Sequence, residues 1–200
     1  MQIENTFIDG LYVLSPRILR DERGYFYESF NKKVFEDLNI NSNFVQDNES
    51  FSQKGTIRGL HFQKGNHAQA KLVRCSKGTV YDVAVDLRVG SKTFGKWHGV
   101  VLSEENKKQF YIPRGFAHGF SVLSETAILN YKCDNFYDKE SDYGIIFNDS
   151  LLNIDWRVGQ MIISEKDRNL KRLSDLSSDE LFILNKSSYP ATADESSVSQ

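Results

Sequence analysis

Between residues 7 and 156 the apolar residues come in short runs broken by Gly, Asn, Asp and Ser, a spacing that predicts many short strands rather than long helices. The clearest strand is predicted over residues 79–88 (TVYDVAVDLR). There Tyr81, Val83, Val85 and Leu87 share one face, and Asp82, Ala84 and Asp86 share the other. A face with two carboxylates either meets water or lines a polar cavity. Helical patterning is confined to residues 32–38 and 164–173, the second opened by Ser164 with Asp167 three residues on, as at a capped helix start. The expected class is all-β, a sandwich or barrel with a few short peripheral helices.

Composition narrows this picture. A chain of 200 residues fits one domain, taken here as residues 1–185, and the Ser-, Ala- and Thr-rich stretch 186–200 is expected to be a disordered tail. Lys and Arg number 25 against 27 Asp and Glu, so no broad field of one sign favours nucleic acid or an anionic membrane. No apolar run approaches the ~20 residues of a membrane helix. The start, MQIENTFIDG, has neither the basic nor the apolar region of a secretory signal, so export by that route is not expected. Cys75 and Cys133 lie in apolar runs without a CxxC pattern and read as buried, reduced thiols, which predicts a cytoplasmic setting.

Two of the four histidines lie in strand-like segments dense with polar groups, RGLHFQ (58–63) and IPRGFAHGF (112–120). A lone His61 would read as a core imidazole with one hydrogen bond. Arg58, Gln63 and Lys71 crowd the same region and turn the balance towards a site. His118 reads equally as an imidazole fixing the turn after Pro113-Arg114-Gly115 or as a ligand contact, while His67 and His98 are left at the surface. Arg58 and His61 are three apart, which on a regular strand sets them on opposite faces; placing both in one cavity requires a bulge or kink at Gly59. The PxGxxH pattern of 113–118 after a His-bearing strand resembles the double-stranded β-helix of cupins, many of which hold a metal. Here His61-Phe62-Gln63 stands in place of His-x-His and the cation Lys71 in place of an acid, so two ligands remain, too few for a metal site. A base, a cation and phenols are parts for moving protons.

Nine motifs in order carry a more specific likeness: DERGYFYE, FVQDNESFS, RGLHFQ, KLVRC, VYDVAVDLR, TFGKW, IPRGFAHGF, YKCDNFYD and GIIFNDSLLNIDW. Together they closely resemble the dTDP-4-dehydrorhamnose 3,5-epimerase family, from near the N-terminus to SEKD at 164–167. The resemblance implies a cupin-like jelly roll, no cofactor and no metal. It also implies inversion at C3 and C5 of a dTDP-linked 4-keto-6-deoxyhexose through enolates, in deoxysugar and surface polysaccharide biosynthesis. Position by position it makes His61 the general base, Asp167 its hydrogen-bonded carboxylate, Tyr131 the acid and Lys71 the stabiliser of charge on the C4 oxygen. Arg58 shares that work or holds phosphate, Tyr137 stacks on the base, and His118 lines the substrate site. Gln46, Asp47 and Asn48 contact nucleotide or sugar, as do Lys166 and Asp142, the last a shorter acid than the family's Glu. Arg23, Phe26 and Glu28 belong to an N-terminal segment reaching into the neighbouring subunit's site, so the unit is a homodimer.

Three rivals stay open on the residues. One is an epimerase of C3 or C5 alone, another a 3,4-ketoisomerase, against which Tyr131, Tyr137 and Asp167 argue, and the third a non-catalytic sugar-binding cupin. If proton transfer is carried by side chains alone, activity should survive exhaustive chelation and the purified protein should hold no stoichiometric transition metal. Loss of activity to a chelator, restored by one metal ion, would overturn this reading.

Overall fold

A computed structural model describes residues 1–183; the predicted tail, 186–200, lies outside the described residues. The elements in chain order are β1 (Gln2–Asn5), β2 (Tyr12–Ser15), β3 (Leu19–Asp21), β4 (Gly24–Phe26), α1 (Lys32–Asp37), β5 (Gln46–Gln53), β6 (Ile57–Gln63), β7 (Lys71–Lys77), β8 (Thr79–Asp86), β9 (Arg88–Val89), β10 (Trp97–Ser103), β11 (Gln109–Ile112), β12 (Phe116–Val122), β13 (Thr126–Cys133), β14 (Asp142–Gly144), α2 (Glu165–Arg168) and β15 (Phe182–Ile183). Two antiparallel sheets face each other as a jelly roll, one ordered β1-β2-β11-β7-β13-β5 and the other β10-β8-β12-β6-β14. The all-β expectation holds.

Three apolar clusters explain why the sheets stack. The space between them is filled by Val13, Val73, Val80, Ala84, Leu102, Phe110, Ile112, Phe120 and Leu129. The outer face of the five-stranded sheet presents Ile57, Phe62, Tyr81, Val83, Val85 and Leu87 to Ile145, Leu152, Trp156, Ile163 and Leu173 of the C-terminal segment. Trp156 is fastened there, its indole N–H donating to the Phe147 carbonyl at 2.7 Å. On the outer face of the six-stranded sheet, Leu14, Leu72 and Tyr111 pack under Phe35 of α1 and Ile40. Strand β8 is therefore buried on both faces, which the period-2 pattern alone did not reveal. Its carboxylates do not meet water. Asp86 is satisfied by Arg88, Ser91 and Thr93, and Asp82 lies wholly buried against His118.

The predicted distortion falls where the chemistry needs it. Strand β12 pairs His118 with His61 and Phe120 with Arg58, so two residues' advance on β12 spans three on β6. The additional residue is a bulge at Gly59, whose φ of +108° suits glycine. His118 and Phe120 are two apart and share a face, so Arg58 and His61 opposite them share it too. The second predicted helix is shorter than the pattern suggested. It ends at Arg168, because Lys171 leaves it to bridge Ile145, its carbonyl accepting from the Ile146 amide at 2.9 Å. His98, expected at the surface, is half-buried with its ring against Phe7 and Phe110. Both cysteines are free and buried, and burial pushes the Cys75 thiol up to about 12 and Cys133 to about 11.

A methyl group at Gly59 would stand 2.6 Å from the His118 carbonyl oxygen and 2.7 Å from Gly119 Cα, both backbone atoms, at a φ that side chains rarely adopt. Gly59→Ala should therefore destabilise the protein by about 3 kcal/mol or more. Urea unfolding measures it, and an unchanged midpoint would show that the bulge is not constrained.

Candidate active site

The bulge turns β6 towards a cavity of about 650 Å³ between the sheets. It is lined by His61, Arg58 and His118 from one sheet, Lys71, Tyr131 and Ser52 from the other, and Ser164, Lys166 and Asp167 from the C-terminal segment. That segment is tied to the start of β6. The Ile57 amide donates to the Ile162 carbonyl and the Ile162 amide to that of Gly55, both at 2.9 Å. Ser164 then caps α2 by accepting from the Asp167 amide at 3.1 Å, and the turn delivers the Asp167 side chain to His61.

Asp167 Oδ1 accepts from His61 Nε2 at 2.7 Å, and Asp167 Oδ2 from the Gly59 amide at 3.3 Å. The imidazole is about a third exposed and the carboxylate nearly buried. Burial raises the Asp167 carboxyl, but the hydrogen bond and charge of His61, with the Gly59 and Ser164 donors, outweigh it and hold the group below the usual carboxylate range. With Nε2–H given to a carboxylate, the lone pair of His61 resides on Nδ1, the nitrogen available for accepting a proton.

Across the cavity Tyr131 stands on β13, with Lys71 on the adjacent β7, its ammonium 5.9 Å from the Tyr131 ring centroid. Burial raises the Tyr131 phenol above its ordinary value, with Cys133 and Asp142 adding and Arg58 opposing. Burial likewise pushes the Lys71 amine down, against the pull of Cys133, Asp82 and Asp142. His118 donates Nε2–H to Asp82 Oδ1 at 2.9 Å, so its imidazole is held by a buried acid in the cavity wall rather than fixing the turn before it. Arg58 Nε donates to Ser52 Oγ at 3.0 Å and Nη2 to the Phe51 carbonyl at 3.1 Å, which leaves guanidinium donors over for a ligand.

A second group gathers around Tyr137. Its hydroxyl donates to Asp142 Oδ2 at 3.1 Å, Lys166 pairs with the same carboxylate, and its backbone amide donates to Gln46 Oε1 at 3.1 Å. The ring is 54% exposed, open for stacking. Gln46 in turn holds Asn48 at 3.0 Å. Not every expected residue converges here. Alternation along β5 turns Asp47 to the outer face, where it pairs with Lys132 at 2.7 Å. Arg23, Phe26 and Glu28 line no part of this chain's own cavity. Arg23 is held by Asp21 on the β3–β4 hairpin, and its side chain is 84% exposed. Sequence reasoning missed Asp82 as a site residue, although its place opposite Tyr81, Val83 and Val85 on β8 was the available signal.

A sequence model described as dTDP-4-dehydrorhamnose 3,5-epimerase matches residues 5–175. The dTDP-4-dehydrorhamnose 3,5-epimerase of Escherichia coli (strain K12) is 52% identical over 178 residues, covering 88% of this chain and 96% of that protein. Among solved structures, the dTDP-4-dehydrorhamnose 3,5-epimerase of Elizabethkingia anophelis NUHP1 is 58% identical with a TM-score of 0.84, covering 88% and 97% of the two chains. A dTDP-6-deoxy-D-glucose-3,5-epimerase from Legionella pneumophila Philadelphia 1, in complex with dTDP-4-keto-L-rhamnose, is 51% identical with a TM-score of 0.89, covering 92% and 98%.

Asp167→Asn should keep the fold while lowering turnover roughly 10²–10⁴-fold, since an amide neither stabilises an imidazolium nor enforces the tautomer. Because Asp167 titrates lower folded than unfolded, its stabilisation is complete above the ordinary carboxylate range and is lost as pH falls through the folded value. The melting-temperature gap between wild type and variant should be widest near neutrality and close in acid; wild-type turnover with a pH-independent gap would contradict both roles.

Proposed function

Because the chain belongs to the dTDP-4-dehydrorhamnose 3,5-epimerase family, we propose that His61 and Tyr131 serve as the base and acid of that reaction, acting from opposite faces of the sugar ring. The protein is an isomerase. It inverts C3 and C5 of dTDP-4-dehydro-6-deoxy-D-glucose to give dTDP-4-dehydro-L-rhamnose, a step of dTDP-rhamnose biosynthesis. The observation that carries the residue assignment is His61, paired with Asp167 of α2, on one sheet and Tyr131 on the sheet facing it, in one cavity.

Both inverted carbons are α to the C4 ketone, so one carbonyl acidifies both hydrogens. His61 Nδ1 takes the proton, and the electron pair moves onto the C4 oxygen. Asp167 stabilises the imidazolium that forms. An α-hydrogen is far too weakly acidic for imidazole unless the enolate meets a preorganised donor, commonly worth ~3–4 kcal/mol. Lys71 is the group that meets it. Its amine is buried and incompletely compensated, so negative charge on the C4 oxygen supplies what the site lacks. Tyr131 then delivers a proton to the other face and is reprotonated from solvent. Its burial keeps the phenol protonated until the carbanion-like carbon calls on it.

Tyr137, Gln46 and Asn48, with the Asp142–Lys166 pair, hold the nucleotide half, the exposed Tyr137 ring stacking on the base. Arg58 contributes donors to the sugar or a phosphate. No metal or organic cofactor enters this scheme. Two such chains act as a homodimer, in which the β3–β4 arm carries Arg23 and Phe26 towards the partner's cavity. The exposure of Leu19, Tyr25 and Phe26 on that arm supports this reading. The two free thiols are consistent with a reducing cytoplasmic setting.

Inversion needs a proton to leave one face and another to arrive on the opposite face, so separating acid from base is the decisive test. In deuterated water Tyr131→Phe should still form enolate, with His61 returning a solvent-derived deuteron to the original face, giving exchange with retention by NMR. His61→Ala should lose exchange at both carbons. Inversion by Tyr131→Phe at the wild-type rate would remove Tyr131 as the acid, and loss of exchange along with inversion would assign it to forming the enolate.

A further inference from the structure

The β3–β4 arm is anchored to its own barrel by a cation that the reaction above does not use. Lys107 lies between β10 and β11 with φ +52°, a backbone conformation uncommon outside Gly, Asn and Asp, and is only 6% exposed. Its ammonium makes no ion pair among the described residues. Instead Nζ donates to Tyr25 Oη at 2.7 Å and stands 4.3 Å from that ring's centroid and 6.0 Å from that of Tyr27. Arg20 stands 5.8 Å from the Tyr25 centroid, and Arg74 Nη1 donates to Tyr27 Oη at 3.4 Å. Two residues beyond Tyr27 the Ser29 carbonyl accepts from Gln109 Nε2 at 2.8 Å. The root of the arm is thus fastened at three alternate residues, while Arg23, paired with Asp21 on the same hairpin, and Phe26 project from it, 84% and 67% exposed.

A buried ammonium without a carboxylate is costly, and an apolar side chain of the same length would fill the space without that cost. What the charge adds is direction. A charge-assisted hydrogen bond and a cation–π contact on one ring fix both where Tyr25 sits and how its plane is turned. Phe26 follows Tyr25 directly, and Arg23 lies two residues before it in the hairpin turn, so the angle of Tyr25 sets the aim of both. We propose that Lys107 is a positioning residue: through Tyr25 it holds the arm at the angle that brings Arg23 and Phe26 of one chain to the substrate in its partner's cavity. This rests on the reading of the arm as a contributor to the neighbouring site.

Mixed dimers separate the two ideas. One chain carries His61→Ala, so only the cavity of the other turns over. Lys107→Met on the His61→Ala chain alters the arm that serves the working cavity; on the other chain it alters the arm that serves the dead one. The first arrangement should raise KM for dTDP-4-dehydro-6-deoxy-D-glucose roughly tenfold with kcat within about twofold, the second should leave both unchanged, and Lys107→Arg should restore KM. Tyr25→Phe, which keeps the ring but removes the acceptor, should give a smaller rise in the same arrangement and stands in for Lys107→Met if that variant folds poorly. Wild-type KM in the first arrangement, or an equal rise in both, would overturn the proposal. Arg23→Ala and Phe26→Ala placed the same way are the control. If they act across the dimer and Lys107→Met does not, the anchor fails alone; if they have no effect in either arrangement, the arm reading fails and the anchor with it.

Discussion

The carboxylate of Asp167 brings together the Nε2–H of His61 on one oxygen and the backbone amide of Gly59 on the other, and much of the architecture around the site can be read as what makes that sharing possible. The bulge at Gly59 aims both donors at one point. The C-terminal segment must cross the outside of the five-stranded sheet, pinned by Trp156 and the bridge between Thr56 and Ile162, to bring the carboxylate there. Burying the carboxylate is tolerable because hydrogen bonds to it outweigh the desolvation, and the result is a fixed imidazole tautomer.

Under the proposed assignment of His61 as base and Tyr131 as acid, the two-sheet arrangement accounts for the inversion. A base and an acid on one strand would reach the same face of a ring. On facing sheets, with the sugar between them, they reach opposite faces, and a single carbonyl lets the same pair serve two carbons. Lys71 and His118 lie in the same cavity with Asp82 buried beside His118, so the polar groups of the interior form a connected set. One oxygen of Asp82 remains buried without a hydrogen-bond partner among the described residues, a local imbalance of the kind found where function rather than stability governs.

The exposed arm obeys a different economy. Its apolar side chains are unburied within the chain, so its order depends on the few contacts at its root and on whatever covers its tip. The rest of the barrel needs no such contribution, being sealed by three apolar clusters on and between its sheets.

By itself the sequence determined the all-β class, the strand over β8, the short helix at Lys32–Asp37, the bulge at Gly59 and the absence of a metal-ligand spacing around His61. These follow from local rules: side-chain periodicity, glycine's freedom at positive φ, and the count of ligand-type residues near one another in the chain. His61, Lys71 and Tyr131 were legible because their motifs are dense and ordered. Other facts belonged to the tertiary structure. Asp167 reads in isolation as an exposed residue in a helix's first turn, and only the crossing of the C-terminal segment, 106 residues away, makes it the partner of His61. Asp47 sits between Gln46 and Asn48 in the chain, yet alternation on β5 turns it from the cavity. Asp82 becomes part of the site because β8 is covered on both faces. Periodicity tells which residues share a face, but which face meets a cavity is decided by what packs against it, and that is a property of the whole fold.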